Sequence, residues 1–162
     1  MNKNKQPTTI CIKRIEKEFN DISSNPLPNI KVMLDPDNIL NIYCMIYDIK
    51  ESGFENGEYI FNIKLSSNYP FEPPSFYFLT PNGRFETNCL LCFSNSIYHK
   101  ETWSPMWNIK TIILGFLSFF LEKESSGVGH LSNTEECKKE YAIKSIEYNK
   151  NKLNKINQLF NL

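Results

Sequence analysis

The fold is decided by residues 30–47, which read IKVMLDPDNILNIYCMIY. Ile30, Val32 and Leu34 place an apolar side chain at every second position, the period of a β-strand with one buried face. The next four residues, DPDN at 35–38, combine proline with residue types that favour tight turns. The segment after them is rich in isoleucine and tyrosine, as strands often are. The stretch therefore predicts two strands joined by a short turn.

Two more strands are predicted downstream. The turn-forming residues Gly53, Asn56 and Gly57 precede a segment at 59–65 in which large apolar side chains occupy alternate positions. A short apolar segment at 76–79 follows the sequence YPFEPP, which is too rich in proline for a central strand. Because strands joined by short turns run in opposite directions, the four segments predict an antiparallel meander.

Helices are predicted on both sides of this meander in the sequence. Thr8 or Thr9 can cap an N-terminal helix, and Asn108 can cap a second helix whose apolar residues recur at helical spacing. Ser132 and Glu135 match a capping box at the start of one or two C-terminal helices. The sequence therefore predicts an α+β fold with an N-terminal helix, a four-stranded antiparallel meander, a long loop and C-terminal helices.

The composition fits a single domain. The chain has 162 residues, of which we expect 1–7 to be disordered and 8–162 to form one domain. The 18 basic residues equal the 18 acidic ones, which argues against nucleic-acid binding through a bulk basic field. The uncharged run at 111–121 is too short for a membrane span of about 20 residues. The polar N-terminus predicts no secretory signal.

Most of the side chains that could react lie in residues 81–99, a stretch without sustained period that we expect to be a long ordered loop. Long loops in compact domains are usually functional. The reactive candidates within it are Asn82, Arg84, Cys89, Cys92, Ser94, Ser96 and His99. The other three of the five cysteines, Cys11, Cys44 and Cys137, lie on apolar faces of predicted elements and are expected in the core.

Three kinds of chemistry fit these residues. Cys89, Cys92 and His99 offer three soft metal ligands, whereas a structural zinc site normally has four. A redox pair of thiols normally lies at the start of a helix, and the residues after Cys92 have no helical pattern. A single nucleophilic thiol needs only thiolate character and access to attack a thioester. An amide such as that of Asn82 can then stabilise the oxyanion, so this third possibility is favoured.

Several motifs, in this order, resemble the catalytic core of ubiquitin-conjugating enzymes. They are YPFEPP at 69–74, TPNGRF at 80–85, Leu91-Cys92, and TWSP at 102–105 before an isoleucine-rich helix. The resemblance extends over residues 8–160 and implies the α+β fold already predicted. It also implies that Cys92 accepts ubiquitin as a thioester from a ubiquitin-activating enzyme and passes it to a protein substrate, with a RING-type ubiquitin ligase. No metal or other cofactor is implied.

The same resemblance implies roles for further residues. Asn82, in a Thr-Pro-Asn sequence where the family usually has His-Pro-Asn, is implied to stabilise the oxyanion or to order the loop. The implied ligase-binding residues are Phe71, Pro105 and Met106. The implied contacts with the activating enzyme and ligases are Lys13, Arg14 and Lys17. From its chemistry, His99 is either a general base for a hydroxyl acceptor or a loop residue bonded to the backbone.

Departures from the common pattern resemble one branch of the family. Thr80 in place of histidine, the short span at 74–80 and the long span at 92–103 resemble the branch held at the endoplasmic reticulum by a C-terminal tail. That branch serves degradation of misfolded proteins and can modify hydroxyl groups. The resemblance implies a cytoplasmic location, or the cytosolic face of the endoplasmic reticulum if a tail anchor follows Leu162.

The sequence does not specify which substrate group accepts the modifier or which ubiquitin-like modifier is carried. Gly127 falls where many members place an acidic residue that receives the acceptor lysine, and the nearest acids are Glu122 and Glu124. Two alternative functions are a non-catalytic module of the same fold that binds ubiquitin, and a carrier for another ubiquitin-like modifier. A thioester-charging experiment distinguishes these alternatives.

Overall fold

The structure, a computed structural model, describes residues 6–51, 53–92, 97–122 and 127–161. Its elements are α1 (Thr9–Ser24), β1 (Ile30–Asp35), β2 (Asn38–Ile46), β3 (Tyr59–Lys64), β4 (Ser75–Phe78), a 3-10 helix (Ile97–Thr102), α2 (Ile109–Leu121), α3 (Glu135–Lys152) and α4 (Asn154–Leu159). This order confirms the predicted α+β class. The loop predicted at 81–99 was expected to reach His99, but His99 lies in the 3-10 helix, so the loop ends earlier than predicted. Residues 1–7 were expected to be disordered, and residues 1–5 of this segment lie outside the described part of the chain.

The four strands form one antiparallel sheet in the order β1-β2-β3-β4, as the meander predicts. Cys44 on β2 lies opposite Val32 on β1 and Phe61 on β3, and Phe61 lies opposite Phe78 on β4. Since side chains alternate between the two faces of a strand, these residues share one face. This face is the one that packs against α2.

The core lies between the sheet and α2. Phe116, at the centre of α2, is fully buried and lies 4.8 Å, between ring centroids, from both Phe61 and Phe76. Phe78 stacks on Phe85 at 5.5 Å, which extends the aromatic core from β4 into the loop that follows. Because Phe85 belongs to the loop after β4, this contact anchors that loop directly to the core.

Within the described residues, no helix is both long enough and apolar enough to cross a membrane.

Side-chain caps set the starts of the helices. The Thr8 side chain accepts a hydrogen bond from the Cys11 backbone N–H at 3.1 Å, and Asn108 accepts one from Thr111 at 2.9 Å, as predicted for both helices. The capping box predicted from Ser132 and Glu135 is wrong. Helix α3 begins at Glu135, so its cap is Thr134, which accepts from the Cys137 N–H at 3.2 Å.

A buried carboxylate joins three segments beside α2. Glu18, on α1, is 7% exposed and pairs with Arg14 one turn earlier. Its Oε2 atom accepts hydrogen bonds from the Tyr69 hydroxyl and the Ile109 backbone N–H, both at 2.8 Å. Burial, together with the nearby Glu18 carboxylate, raises the pKa of Tyr69, so its hydroxyl remains a donor. Because a buried charge is costly unless paired and hydrogen-bonded, these contacts hold α1 against YPFEPP and the start of α2.

Candidate active site

The Asn82 side chain organises the turn that follows β4. It is 0% exposed, and its Oδ1 accepts hydrogen bonds from the backbone N–H groups of Arg84 at 2.8 Å and Phe85 at 2.9 Å. Its Nδ2 donates to the Thr80 carbonyl at 3.0 Å. Gly83 has a φ of +77°, a conformation that favours glycine. The amide of Asn82 therefore has the contacts required to order this loop.

Thr80, which stands where the family usually has histidine, links the sheet to α3. Its hydroxyl donates to the Asn149 side-chain oxygen at 2.6 Å and accepts from the Ile60 N–H at 2.9 Å. Asn149 in turn donates to the Glu58 carbonyl at 2.9 Å. Thr80 and Asn149 are fully buried. The threonine thus completes a buried polar network that sequence analysis did not identify, because Asn149 is 69 residues away.

Arg84 ties the loop to the C-terminal end of α2. The residue is 2% exposed, and its guanidinium donates to the Phe119 carbonyl at 3.2 Å and lies over the Phe85 ring at 5.0 Å. Burial lowers the pKa of Arg84, and the negative charge of Glu122 opposes this shift. A cation at the C-terminus of a helix is also favoured by the helix dipole. The hydrogen bond from Arg84 therefore joins the loop after β4 to the last turn of α2.

Cys92 follows a buried anchor and is itself partly exposed. Leu91 is fully buried, and its N–H donates to the Phe76 carbonyl on β4 at 3.0 Å. The Cys92 N–H donates to the Val128 carbonyl at 3.1 Å, and the Cys92 carbonyl lies 2.9 Å from Nε2 of His130. Cys92 is thus held by β4 on one side and by residues 127–130 on the other, and the residue as a whole is partly exposed.

Three of the other four thiols have surroundings that disfavour nucleophilic attack. Burial raises the pKa of Cys11 and raises that of Cys44 well above its usual value, and both are buried as predicted. Burial and the adjacent Glu86 carboxylate raise the pKa of Cys89. Cys137 is only partly buried, so its expected place in the core is wrong. Since the thiolate is the nucleophile, these surroundings disfavour Cys11, Cys44 and Cys89, whereas the order of motifs is what favours Cys92 over Cys137.

The alternative metal site concerns residues only partly covered by the structure. Cys89 and Cys92 are not joined by a disulfide bond. Within the described ranges, no group of three His, Cys, Asp or Glu residues is placed to hold a metal ion. His99 lies in the 3-10 helix, but its side chain is outside the described part, as are Ser94, Ser96 and Glu124.

Residues 127–130 are the neighbours of Cys92 that sequence analysis missed. A Cβ atom at Gly127 would lie 3.5 Å from the Cys92 Cβ, and His130 contacts the Cys92 carbonyl. The spacing argument did place Gly127 in the acceptor region. His130 was not identified from the sequence, since nothing in the local pattern pairs it with a residue 38 positions earlier.

The implied ligase-binding residues lie on two adjoining loops. Phe71 is 56% exposed, Met106 is 87% exposed, and Pro105 is exposed as well. Nε1 of Trp103 donates to the Pro70 carbonyl at 2.8 Å, which joins the two loops. Exposed apolar side chains on ordered segments are suited to binding another protein. We refer to Phe71, Pro105 and Met106 as the loop surface.

The basic residues of α1 divide into two kinds. Lys13 and Lys17 are exposed to solvent. Arg14 pairs with Glu18 and donates to the Trp107 carbonyl at 3.0 Å. The lysines are therefore available to a partner, whereas Arg14 also joins α1 to the loop before α2.

Comparison with known proteins identifies relatives over most of the chain. The sequence model of ubiquitin-conjugating enzymes matches residues 14–155. The chain is 42% identical over 144 residues to ubiquitin-conjugating enzyme E2 J2-like of Dictyostelium discoideum, covering 89% of this chain and 84% of that protein. It is 42% identical over 137 residues to ubiquitin-conjugating enzyme E2 6 of Eremothecium gossypii, covering 85% of this chain. It is 34% identical over 148 residues to ubiquitin-conjugating enzyme E2 J2 of Mus musculus, covering 91%.

The last two relatives are longer proteins, and the chain spans only 56% and 57% of their lengths. A solved structure from Plasmodium yoelii, described as a ubiquitin conjugating enzyme, has a TM-score of 0.61 and covers 74% of this chain and 77% of its own. Its identity of 22% makes this a likeness of fold alone. Sequence and fold agree, and this chain belongs to the ubiquitin-conjugating enzyme family, whose members are transferases that act through a cysteine thioester.

Proposed function

We propose that this chain carries ubiquitin on Cys92. The Cys92 thiolate attacks the carbonyl carbon of the thioester that joins ubiquitin to its activating enzyme. A new carbon–sulfur bond forms, and the thiolate of the activating enzyme leaves. In the second step an amine or hydroxyl of a substrate attacks the new thioester and loses a proton, and the Cys92 thiolate leaves. Neither step requires a metal or nucleotide on this chain.

The placement of Cys92 carries this proposal. Cys92 is partly exposed and follows the buried Leu91, and the loop before it is ordered by the buried Asn82 amide. A nucleophile held in one geometry avoids the entropic cost of orienting it during reaction. The contacts of Asn82 support its role in ordering the loop. A role in stabilising the oxyanion rests on the resemblance to the family.

The surfaces support the proposed partners. The exposed Lys13 and Lys17 offer positive charge to the activating enzyme, with Arg14 between them. The loop surface offers apolar side chains to a RING-type ligase. By resemblance to the tail-anchored branch, the proposed setting is degradation of misfolded proteins at the cytosolic face of the endoplasmic reticulum. That location requires a membrane anchor.

A charging experiment tests the proposal. Mixing the protein with ubiquitin-activating enzyme, ubiquitin and ATP is expected to give an adduct on a non-reducing gel that disappears with reductant. The control replaces ubiquitin and its activating enzyme with another ubiquitin-like modifier and the enzyme specific to it. Charging with that modifier alone would identify a different carrier. Binding of ubiquitin without any adduct would identify a non-catalytic module. Either result would contradict the proposal.

We also propose that His99 is the general base for a hydroxyl acceptor. A serine hydroxyl has to lose its proton as it attacks, and general-base catalysis typically contributes about 100-fold or more. His99→Gln is therefore expected to slow discharge of the charged protein to free serine by about 100-fold. Charging by the activating enzyme serves as the internal control and is expected to be unchanged. Serine discharge at the wild-type rate would contradict the role.

A further inference from the structure

The backbone of Cys92 is held at both of its polar groups by one short segment. The Cys92 N–H donates to the Val128 carbonyl at 3.1 Å. The Cys92 carbonyl lies 2.9 Å from Nε2 of His130. Residues 127–130 form a turn that is closed by a hydrogen bond from the His130 N–H to the Gly127 carbonyl at 3.2 Å. Both backbone polar groups of Cys92, the N–H and the carbonyl, are thus hydrogen-bonded to this turn.

The imidazole of His130 is oriented by the aromatic core. It lies edge-on to the Phe85 ring at 5.0 Å between centroids and to the Phe119 ring at 5.3 Å. The backbone beside the turn is also hydrogen-bonded to the loop after β4. The Leu131 N–H donates to the Arg84 carbonyl at 2.9 Å, and the Glu86 N–H donates to the Gly129 carbonyl at 2.8 Å. The ring therefore has a defined position, which links Cys92 to α2 and to TPNGRF.

The chemistry of the contact specifies which atom carries the proton. A carbonyl oxygen only accepts hydrogen bonds, so Nε2 has to be the donor. Both the neutral Nε2–H tautomer and the imidazolium meet this requirement, so the contact does not depend on the charge of the ring. Gly127 leaves space for it, because a Cβ there would lie 3.1 Å from Nε2 of His130.

We propose that His130 is a positioning residue for the Cys92 nucleophile: its Nε2–H holds the Cys92 carbonyl and so orients the thiol for thioester formation. This inference rests on the proposed function of Cys92. His130 does not touch the reacting atoms. Its effect is to restrict the peptide from which the thiol projects, which lowers the cost of reaching the reactive geometry.

Three variants separate the hydrogen bond from the packing of the ring. His130→Phe keeps an aromatic ring between Phe85 and Phe119 but removes the donor. His130→Gln keeps an N–H donor of similar reach but removes the ring. His130→Ala removes both. A net hydrogen-bond contribution of ordinary size corresponds to a change in rate of about five- to tenfold.

The measurement is the rate of Cys92 charging in a single turnover, as a function of the concentration of charged activating enzyme. We expect His130→Phe to lower the maximal rate about five- to tenfold, with the half-saturating concentration unchanged. We expect His130→Gln to restore the rate to within about twofold of wild type, and His130→Ala to be at least as slow as His130→Phe. Thermal unfolding of each variant is measured alongside.

Two results would overturn the inference. One is a His130→Phe variant that charges at the wild-type rate, since the donor would then be dispensable. The other is an equal loss in His130→Phe and His130→Gln in step with lower thermal stability, since the residue would then act through general folding. If the wild-type protein forms no thioester, the proposed function fails instead. The positioning role is then measured by the rate at which iodoacetamide alkylates Cys92, followed by peptide mass spectrometry, with the same order of variants expected.

Discussion

Cys92→Ala is expected to abolish thioester formation completely, whereas Cys92→Ser should form an adduct that withstands reductant. The alanine variant has no atom that can take the acyl group from the activating enzyme. The serine variant can form an ester through its hydroxyl, more slowly because a neutral hydroxyl is a weaker nucleophile than a thiolate. Both results are read on a gel after incubation with activating enzyme, ubiquitin and ATP, with and without reductant.

Cys89→Ser is the matched control for this experiment. Cys89 lies three residues before Cys92 in the same loop, but burial and the adjacent Glu86 raise its pKa, which disfavours the thiolate. We expect Cys89→Ser to charge as wild type does. An adduct that persists in Cys92→Ala and disappears in Cys89→Ser would transfer the nucleophile to Cys89 and refute the assignment.

Glu18→Ala is expected to lower the free energy of unfolding by about 3 kcal/mol, because it breaks a buried and hydrogen-bonded ion pair. The substitution leaves the Tyr69 hydroxyl and the Ile109 N–H without their acceptor, and Arg14 without its carboxylate. For a domain of this size the loss corresponds to a fall of roughly 6–12 °C in melting temperature. Urea unfolding followed by tryptophan fluorescence measures it, since Trp103 and Trp107 lie close to this network.

Glu16→Ala, on the exposed side of the same helix, is the matched control. Surface substitutions of this kind usually change stability by no more than about 0.5 kcal/mol. Glu18→Gln keeps one acceptor oxygen and should lose an intermediate amount. In the double variant Arg14→Ala/Glu18→Ala the losses should be less than additive, since the two side chains interact directly. Equal stability of Glu18→Ala and Glu16→Ala would rule out the network as a source of stability.

The regular elements were predictable because their signals are local. A period of two along Ile30, Val32 and Leu34, followed by a proline-containing turn, is sufficient to predict a hairpin. The predicted strand bounds differ from the observed ones by a residue or so at the ends. The cap of α3 was misplaced because Ser132, Thr134 and Glu135 are all residue types that occur at helix starts. Which of them caps depends on where the first helical turn begins, and this is set by packing.

The candidate site was partly predictable. Cys92 and Asn82 were found from the order of motifs, which is itself a property of the sequence. The resemblance implied Phe71 and Met106 as ligase-binding residues, and the structure shows both side chains on the surface. Arg14 was expected as a binding residue, and the structure shows that it also pairs with the buried Glu18. Two residues four positions apart on a helix can pair in the core or in solvent, and their spacing alone does not show which of these occurs.

By itself the sequence indicated the strands and the main helices, their order, the family resemblance and the proposed nucleophile Cys92. The tertiary structure alone decided that Cys137 is only partly buried, that Thr80 bonds to Asn149, and that His130 holds the Cys92 backbone. The physical reason is the range of the interactions. Hydrophobic period and turn chemistry act between residues a few positions apart. A hydrogen bond across 38 or 69 residues requires a donor and an acceptor that only the assembled core brings within reach.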